Sequence, residues 1–354
     1  MVAPAAAPLK PGLRDRPLDA RDVADARVPD LGPWLADPPT IVPFSWLGRA
    51  LRKLRLKHWQ FVSVTSPSLF MGIGAVSLHF VSAAFAYVYL KEEKRYEEFS
   101  AVAPLALGTT YGGRPDSGET SFSTPFMNVR FASDCVRHVR EISVDARKSS
   151  LRLRASLVVS ELPSWSSEAL NLVSDLGGGR PSFTFKAVGA PASGGVFLGK
   201  EHFPVRAGEA LACVDWTTAY STRVTTWNWA SAAGFDARGR IIGFNLARGI
   251  NEAANGVTEN AVWIEGRRMP IATCRFSFDH GNPMSSWTIR SDDGRISLRF
   301  LPVGLRREQV NLLVVNSNLL QTFGLFRGHA VDNDGVRHGF DNIFGVTEDH
   351  YSRW

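Results

Sequence analysis

No familiar catalytic signature occurs in these 354 residues. The chain has no GxSxG elbow, no GxxxxGK[ST] phosphate loop, no dinucleotide fingerprint and no HExxH pair. Those absences remove classical serine hydrolases, P-loop NTPases and NAD-dependent enzymes as far as motifs can. The eight histidines are scattered without metal-ligand spacing, so neither a metal nor another cofactor is expected. Cysteine is scarce. Cys135, Cys213 and Cys274 are odd in number, far apart and free of any CxxC spacing. They fit reduced thiols in a cytoplasmic compartment rather than a disulfide framework. Residues 1–11 lack the apolar core of a secretory leader. The net charge, +6, is too diffuse for nucleic-acid binding. Oligomeric state leaves no mark that the sequence reveals.

Long uncharged runs are also rare, with one exception at Ser68–Leu90. Its length would span a bilayer as a helix. The Phe85/Tyr87/Tyr89 alternation has period two, however, and suits strands. Two buried strands meeting near Ser77–Ser82 are expected there.

Proline is concentrated at the start, so residues 1 to about 43 read as an irregular arm. Within residues 44–61, Leu47, Ala50, Leu51 and Leu54 fall at helical spacing among Arg49, Arg52, Lys53, Arg55 and Lys57. Such a basic amphipathic helix could touch an anionic membrane, or simply pack on the body with solvated arginines. From Trp59 the pattern is almost entirely strands. LRLRASLVV puts Leu151, Leu153, Ala155 and Leu157 on one face. The preceding VRHVREISV joins it through a hairpin. Residues 177–180 and 190–195 read as loops.

The second half is the clearest. WTIRS and ISLRF flank DDGR, whose Asp-Gly pair supplies a tight hairpin turn. Trp287, Ile289, Ile296, Leu298 and Phe300 then face inward. In TTWNWAS, Trp227 and Trp229 share a face and Asn228 takes the other. Near the C-terminus, DNDG departs from a calcium loop at its end positions and reads as a turn. No sustained helical pattern separates these strands, so an antiparallel meander closing toward a barrel is expected.

The strings DWTTAYSTRVTTWNWASAAG, GRIIGFNL, TENAVWIEG, SSWTIRSDDGRISLRFLP and QTFGLFRG resemble the bacterial family known as domain of unknown function 2804. FTFKAVGAPASGG and KHW match it too. The resemblance runs from about Lys57 to Glu348. Such proteins are similar in architecture to carotenoid 1,2-hydratases and lipocalin-like pericyclases, built from two calycin-type barrels in tandem. The resemblance therefore implies an all-β fold of two tandem lipocalin-like barrels, with an irregular arm and few short helices. On this reading residues 1–56 form the arm, 57–205 the first barrel and 206–354 the second, with the boundary between 196 and 212. It implies a fold rather than an activity.

Candidate chemistry centres on carboxyl groups beside tryptophans. A desolvated carboxyl stays protonated toward neutrality and can act as an acid. Aromatic faces can stabilise a developing cation. Glu259 and Asp215 are the candidate acids; the alternative is that they cap turns or pair with Arg223 or Arg248. Trp227, Trp229, Trp263, Asn245 and Asn260 are the candidate ligand contacts, or else core and strand-lacing groups. Two functions remain open. One is binding of an apolar lipid, isoprenoid or polyketide-like molecule in a Trp-lined barrel pocket. The other is a cofactor-independent hydratase, isomerase or cyclase acting on such a molecule. A carboxyl inside the cavity, away from any arginine, would favour the second.

Overall fold

Two hairpin-rich halves of the sequence become two curled antiparallel sheets. The computed structural model describes residues 55–161, 168–176, 180–252, 257–311 and 316–353. The first sheet holds β1 (Leu56–Thr65), β2 (Leu69–Ser77), β3 (Val81–Leu90), β4 (Arg95–Pro104), β5 (Thr109–Thr110), β6 (Gly118–Ser123), β7 (Met127–Asp134), β8 (Val139–Lys148), β9 (Leu151–Ser160), β10 (Leu170–Asp175), β11 (Pro181–Leu198), β12 (Glu201–Val205) and β13 (Leu211–Tyr220). The second holds β14 (Val224–Phe235), β15 (Ile241–Arg248), β16 (Ala261–Ile264), β17 (Arg267–Pro270), β18 (Cys274–Ser277), β19 (Trp287–Ser291), β20 (Ile296–Asn311), β21 (Asn316–Val331) and β22 (Arg337–Arg353). Their order is β4-β3-β2-β1-β13-β11-β9-β8-β7-β6-β5 in the first sheet and β17-β16-β15-β14-β22-β21-β20-β19-β18 in the second. Each half-barrel is all-β, and no helix occurs among the described residues.

The alternation legible in the sequence is the alternation of burial. Leu153, Ala155 and Leu157 are buried in β9. The DDGR turn joins β19 to β20 with Gly294 at φ 71°, and Trp287, Ile289, Ile296, Leu298 and Phe300 all face the second core. Ser68–Leu90 contributes β2 and β3, joined across residues 78–80. No helix of the described residues is long and apolar enough to cross a membrane. The DNDG sequence turns β21 into β22, with Asp332 accepting from the backbone N–H groups of Asp334 and Val336. Cys213 and Cys274 are buried and Cys135 is exposed.

Two expectations change, and a third falls on residues that are not described. Residues 44–54 lie outside the described residues, but from Leu56 the basic segment is strand β1, with Lys57 and Trp59 drawn into the inter-sheet region. Hydrogen bonding to both β2 and β13 makes β1 a central strand, while Leu47, Ala50, Leu51 and Leu54, which carry the helical spacing, lie outside the described residues. Residues 190–195 are no loop. They lie inside β11, which leaves β13 for β9 there, helped by positive φ at Gly189 and Gly194. Finally, β13 pairs with β1 and β11. The chain therefore passes between sheets at residues 221–223, later than the division at 205/206 read from the sequence.

The two half-barrels each fill their own hollow and then pack against one another. Phe61, Phe70, Phe85, Tyr87 and Tyr89 of the first sheet form one cluster with Trp229, Phe323, Phe344 and Val346 of the second. Glycine in β2 makes this possible. A Cβ at Gly74 would stand 2.4 Å from the Phe85 ring, so only glycine lets that ring lie flat across the neighbouring strand. Gly74→Ala should lower the urea midpoint by the equivalent of about 1–3 kcal/mol, the usual cost of overpacking. Gly113→Ala, where nothing lies within 4 Å, should leave the midpoint near wild type. Equal midpoints for all three proteins would contradict this packing.

Candidate active site

Strand register sets a row of side chains on the inter-sheet face of the first sheet. Lys186 of β11 pairs with Asp215 of β13, and Asp215 with Phe61 of β1. Phe61 pairs with Gly74 of β2, and Gly74 with Phe85 of β3. A second row arises in the second sheet from Ala247, Trp229, Glu348, Gln321 and Arg306. Directly paired residues point to the same side, so each row is one line of side chains. The two lines meet. Phe61 lies edge-on to Trp229 at 5.9 Å, the Lys186 ammonium stands 5.7 Å from the centre of a Trp229 ring, and the Arg306 guanidinium stacks 3.8 Å over Phe85.

Between them lies a cavity of about 110 Å³. Lys186, Asp215, Glu259, Asn251, Trp229 and Phe61 are among its buried lining residues. Val76, Leu78, Leu319, Trp59 and Trp227 line it too, and their partial exposure marks the way in. The site is therefore between the sheets rather than inside either barrel. The barrel interiors are filled by their own apolar cores. A dry cavity of about 150 Å³ can hold benzene, so this one takes one small apolar group rather than a whole lipid.

The polar groups form two sets. In the first, the Lys186 ammonium sits 2.6 Å from Asp215 Oδ2 and 3.7 Å from Glu259 Oε2. The Thr217 hydroxyl donates to Asp215 Oδ1 at 3.1 Å. Asn251 donates to Glu259 Oε2 at 2.9 Å and is itself held by the Ser174 hydroxyl at 2.9 Å. Burial pushes the Glu259 carboxyl above its usual range, and Lys186 only partly offsets this. Although burial opposes charge on Lys186, Asp215 and Glu259 outweigh it and hold the ammonium charged. In the second set, Glu348 accepts from the indole N–H of Trp227 at 3.0 Å and from the Gln321 amide at 2.6 Å. Burial raises its pKa as well, against those two hydrogen bonds. Trp227 is stacked on Trp59 at 6.1 Å and meets the His350 ring at 3.9 Å with a 42° tilt. Burial pushes His350 down to about 3, so its ring is neutral at physiological pH.

Of the residues singled out in the sequence, Asp215, Glu259, Trp227 and Trp229 come together around this cavity. Asn245 stands behind it: its side-chain oxygen accepts from the Trp229 indole at 2.8 Å, and its amide donates to the Glu259 carbonyl at 2.9 Å. It orients both. Asn260 and Trp263 are not brought to the cavity. Asn260 ties the backbone of Ala247 to that of Ala272, and Trp263 donates to the Glu168 carbonyl while filling a separate apolar cluster. Neither Asp215 nor Glu259 pairs with Arg223 or Arg248 in the ion pairs found; Arg248 takes Glu252. Lys186, Glu348, Gln321 and His350 escaped the sequence reading. Each sits singly in a strand, and only the pairing of distant strands gathers them. The one available signal was Lys186 in FTFKAV, a charge among residues of a buried strand.

Comparison with known proteins gives the lineage. No curated protein matches the sequence. Kievitone hydratase from Nectria haematococca aligns over 83% of this chain and 88% of its own, at 11% identity and a TM-score of 0.48. The ATTH candidate of Nitrosomonas europaea aligns over 97% and 98%, again at 11% identity and a TM-score of 0.48. Likeness at this level carries nothing about substrate or reaction. The family profile of domain of unknown function DUF2804 matches residues 42–354, and the chain belongs to that family.

Proposed function

We propose that this protein is a cofactor-independent acid–base enzyme acting on the unsaturated end of an apolar small molecule. The observation that carries the reading is a pair of buried-site carboxyls with raised pKa, Glu259 and Glu348, in one aromatic-walled cavity. No arginine lines that cavity among the described residues. A plain binding pocket for an apolar ligand gains nothing from desolvated carboxyls, which cost free energy to bury. A proton donor gains directly, because desolvation holds the proton until a substrate can take it.

The chemistry follows from the two sets. Glu348, protonated, gives its proton to one carbon of a carbon–carbon double bond. The π bond breaks, a C–H bond forms and positive charge develops on the other carbon. Trp59, Trp227 and Trp229 offer aromatic faces to that charge. Asp215, in contact with the Lys186 ammonium, accepts a proton from a water molecule as the water oxygen bonds to the cation. The sum is addition of water. Without water in place, loss of a neighbouring C–H proton to Asp215 gives an isomer instead. In either case the proton returns from Asp215 to Glu348 through solvent. The size of the cavity suits a branched alkenyl end whose remaining length extends past Trp59 and Trp227. Simple binding of such a molecule is the second reading, favoured if turnover is absent.

Incubation with isoprenoid and prenylated aromatic alkenes in D2O and H2¹⁸O tests the proposal. Wild type should place one deuterium on carbon and, for hydration, one ¹⁸O on its neighbour. Glu348→Gln should keep the fold and the bound ligand but lose turnover by about 10²–10⁴-fold, the usual worth of a positioned acid. Turnover equal to wild type in Glu348→Gln would remove that residue from the mechanism. Trp229→Ala should lose ligand binding and about 3–5 kcal/mol of stability. Unchanged binding would take the tryptophan wall out of the account.

The raised carboxyls also fix a pH signature. A carboxyl whose folded pKa lies above its unfolded value favours folding when protonated. That contribution is present in full below the ordinary value of 4.5 and disappears as pH rises through the folded value. Unfolding free energy of wild type relative to Glu348→Gln should therefore fall as pH climbs above 4.5. Turnover should fall over the same rise, since the acid form is the active one. A difference between the two proteins that is flat with pH would contradict the raised pKa.

A further inference from the structure

One end of the first half-barrel carries an apolar surface unrelated to the cavity. Val102 is 67% exposed, Leu105 72%, Leu107 62% and Phe126 63%. Val102 lies in β4, Leu105 and Leu107 in the β4–β5 turn, and Phe126 in the β6–β7 turn. Backbone bonds hold the first turn, with Leu105 N–H donating to the Phe80 carbonyl and Leu107 N–H to that of Pro104. The second is fixed by Thr124, whose hydroxyl bonds with Met127. Val102, Leu107 and Phe126 line one open cleft of about 900 Å³ along the free edge of β4. Arg147 and Lys148, the last two residues of β8, also line it. Arg147 lays its guanidinium 5.4 Å over the Phe126 ring, and neither cation appears among the ion pairs of the described residues. Glu98, the one acid on the cleft, is committed to Arg306 and Tyr96.

Four large apolar side chains projecting from β4 and two hydrogen-bonded turns are costly to leave in water. Two cations outside the ion pairs of the described residues give the patch a positive rim: Lys148, and Arg147, whose guanidinium also donates to the Pro125 carbonyl at 2.8 Å. We infer that this end of the barrel docks on an anionic lipid bilayer, with Leu105, Leu107 and Phe126 entering the interface and Arg147 and Lys148 meeting lipid phosphates. The charge decides the occupant. An apolar tip ringed by cations matches an interface of acyl chains beneath negative headgroups, whereas a protein partner would have to supply its own acidic ring. The inference stands independently of the reaction at the cavity.

Sedimentation of the full chain with phosphatidylcholine vesicles, with and without phosphatidylglycerol, tests it. Wild type should pellet with the anionic vesicles, and less so as salt rises. Leu107→Asp with Phe126→Asp should lose that binding. Arg147→Glu with Lys148→Glu should weaken it about tenfold or more and remove most of its salt dependence. Val136→Asp changes an exposed residue at the opposite end of the β7–β8 hairpin and should bind as wild type does. All these positions are on the surface, and circular dichroism checks that each variant is folded. Absence of wild-type binding, or equal binding by the Leu107/Phe126 variant, would overturn the inference. So would a wild-type dimer in size-exclusion chromatography that the same variant splits, because the patch would then join two copies.

Discussion

A charged lysine enclosed between two β-sheets constrains everything around it. Removing an ammonium from water costs several kcal/mol even after relaxation. Lys186 is buried and stays charged because Asp215 is its direct cross-strand partner at 2.6 Å and Glu259 completes its surroundings at 3.7 Å. That geometry requires β11 to lie beside β13, and β13 beside β1. It also requires the loop carrying Asn251 and Glu259 to reach across from the second half. The two half-barrels are thus joined by a polar centre as well as by the aromatic cluster of Phe61, Phe70, Phe85, Trp229 and Phe323.

The same enclosure separates the carboxyls by environment. Asp215 has a cation in contact and a threonine hydroxyl on its other oxygen. Glu348 has two neutral donors, an indole and an amide, in its hydrogen-bond shell. Neutral donors stabilise a carboxylate less than a cation does, so desolvation prevails at Glu348 and its pKa rises. A carboxyl raised by desolvation, near a second carboxyl in contact with a cation, is an arrangement that acid–base catalysis can use. The tryptophans contribute twice: Trp227 supplies one of the neutral donors, and with Trp59 and Trp229 it forms the wall.

Much of the fold was legible because the local signals agree with the global one. The Asp-Gly turn in DDGR, the alternation of LRLRASLVV and the period-two aromatics of β3 each name a strand, and each strand forms. The paired tryptophans of β14 share a face because residues two apart in a strand must. Legibility failed where long-range pairing overrides local pattern. The glycines near Ala190 mark a bend inside β11 rather than a loop. The site was half legible for the same reason. Asp215 and Glu259 stand beside tryptophans in the sequence, whereas Glu348 and Lys186 approach them only through pairings more than a hundred residues apart in the case of Trp227 and Glu348.

Burial raises the Glu348 pKa, and the proposed mechanism requires this carboxyl of the inter-sheet cavity to remain protonated at neutral pH. Infrared difference spectroscopy of wild type against Glu348→Gln, at pH 7 and in the absence of ligand, measures it directly. The account predicts loss of a carboxylic-acid C=O band in the variant, with a shift to lower frequency in D2O. Loss of carboxylate bands alone, with no acid band in wild type, would show Glu348 ionised and contradict the account.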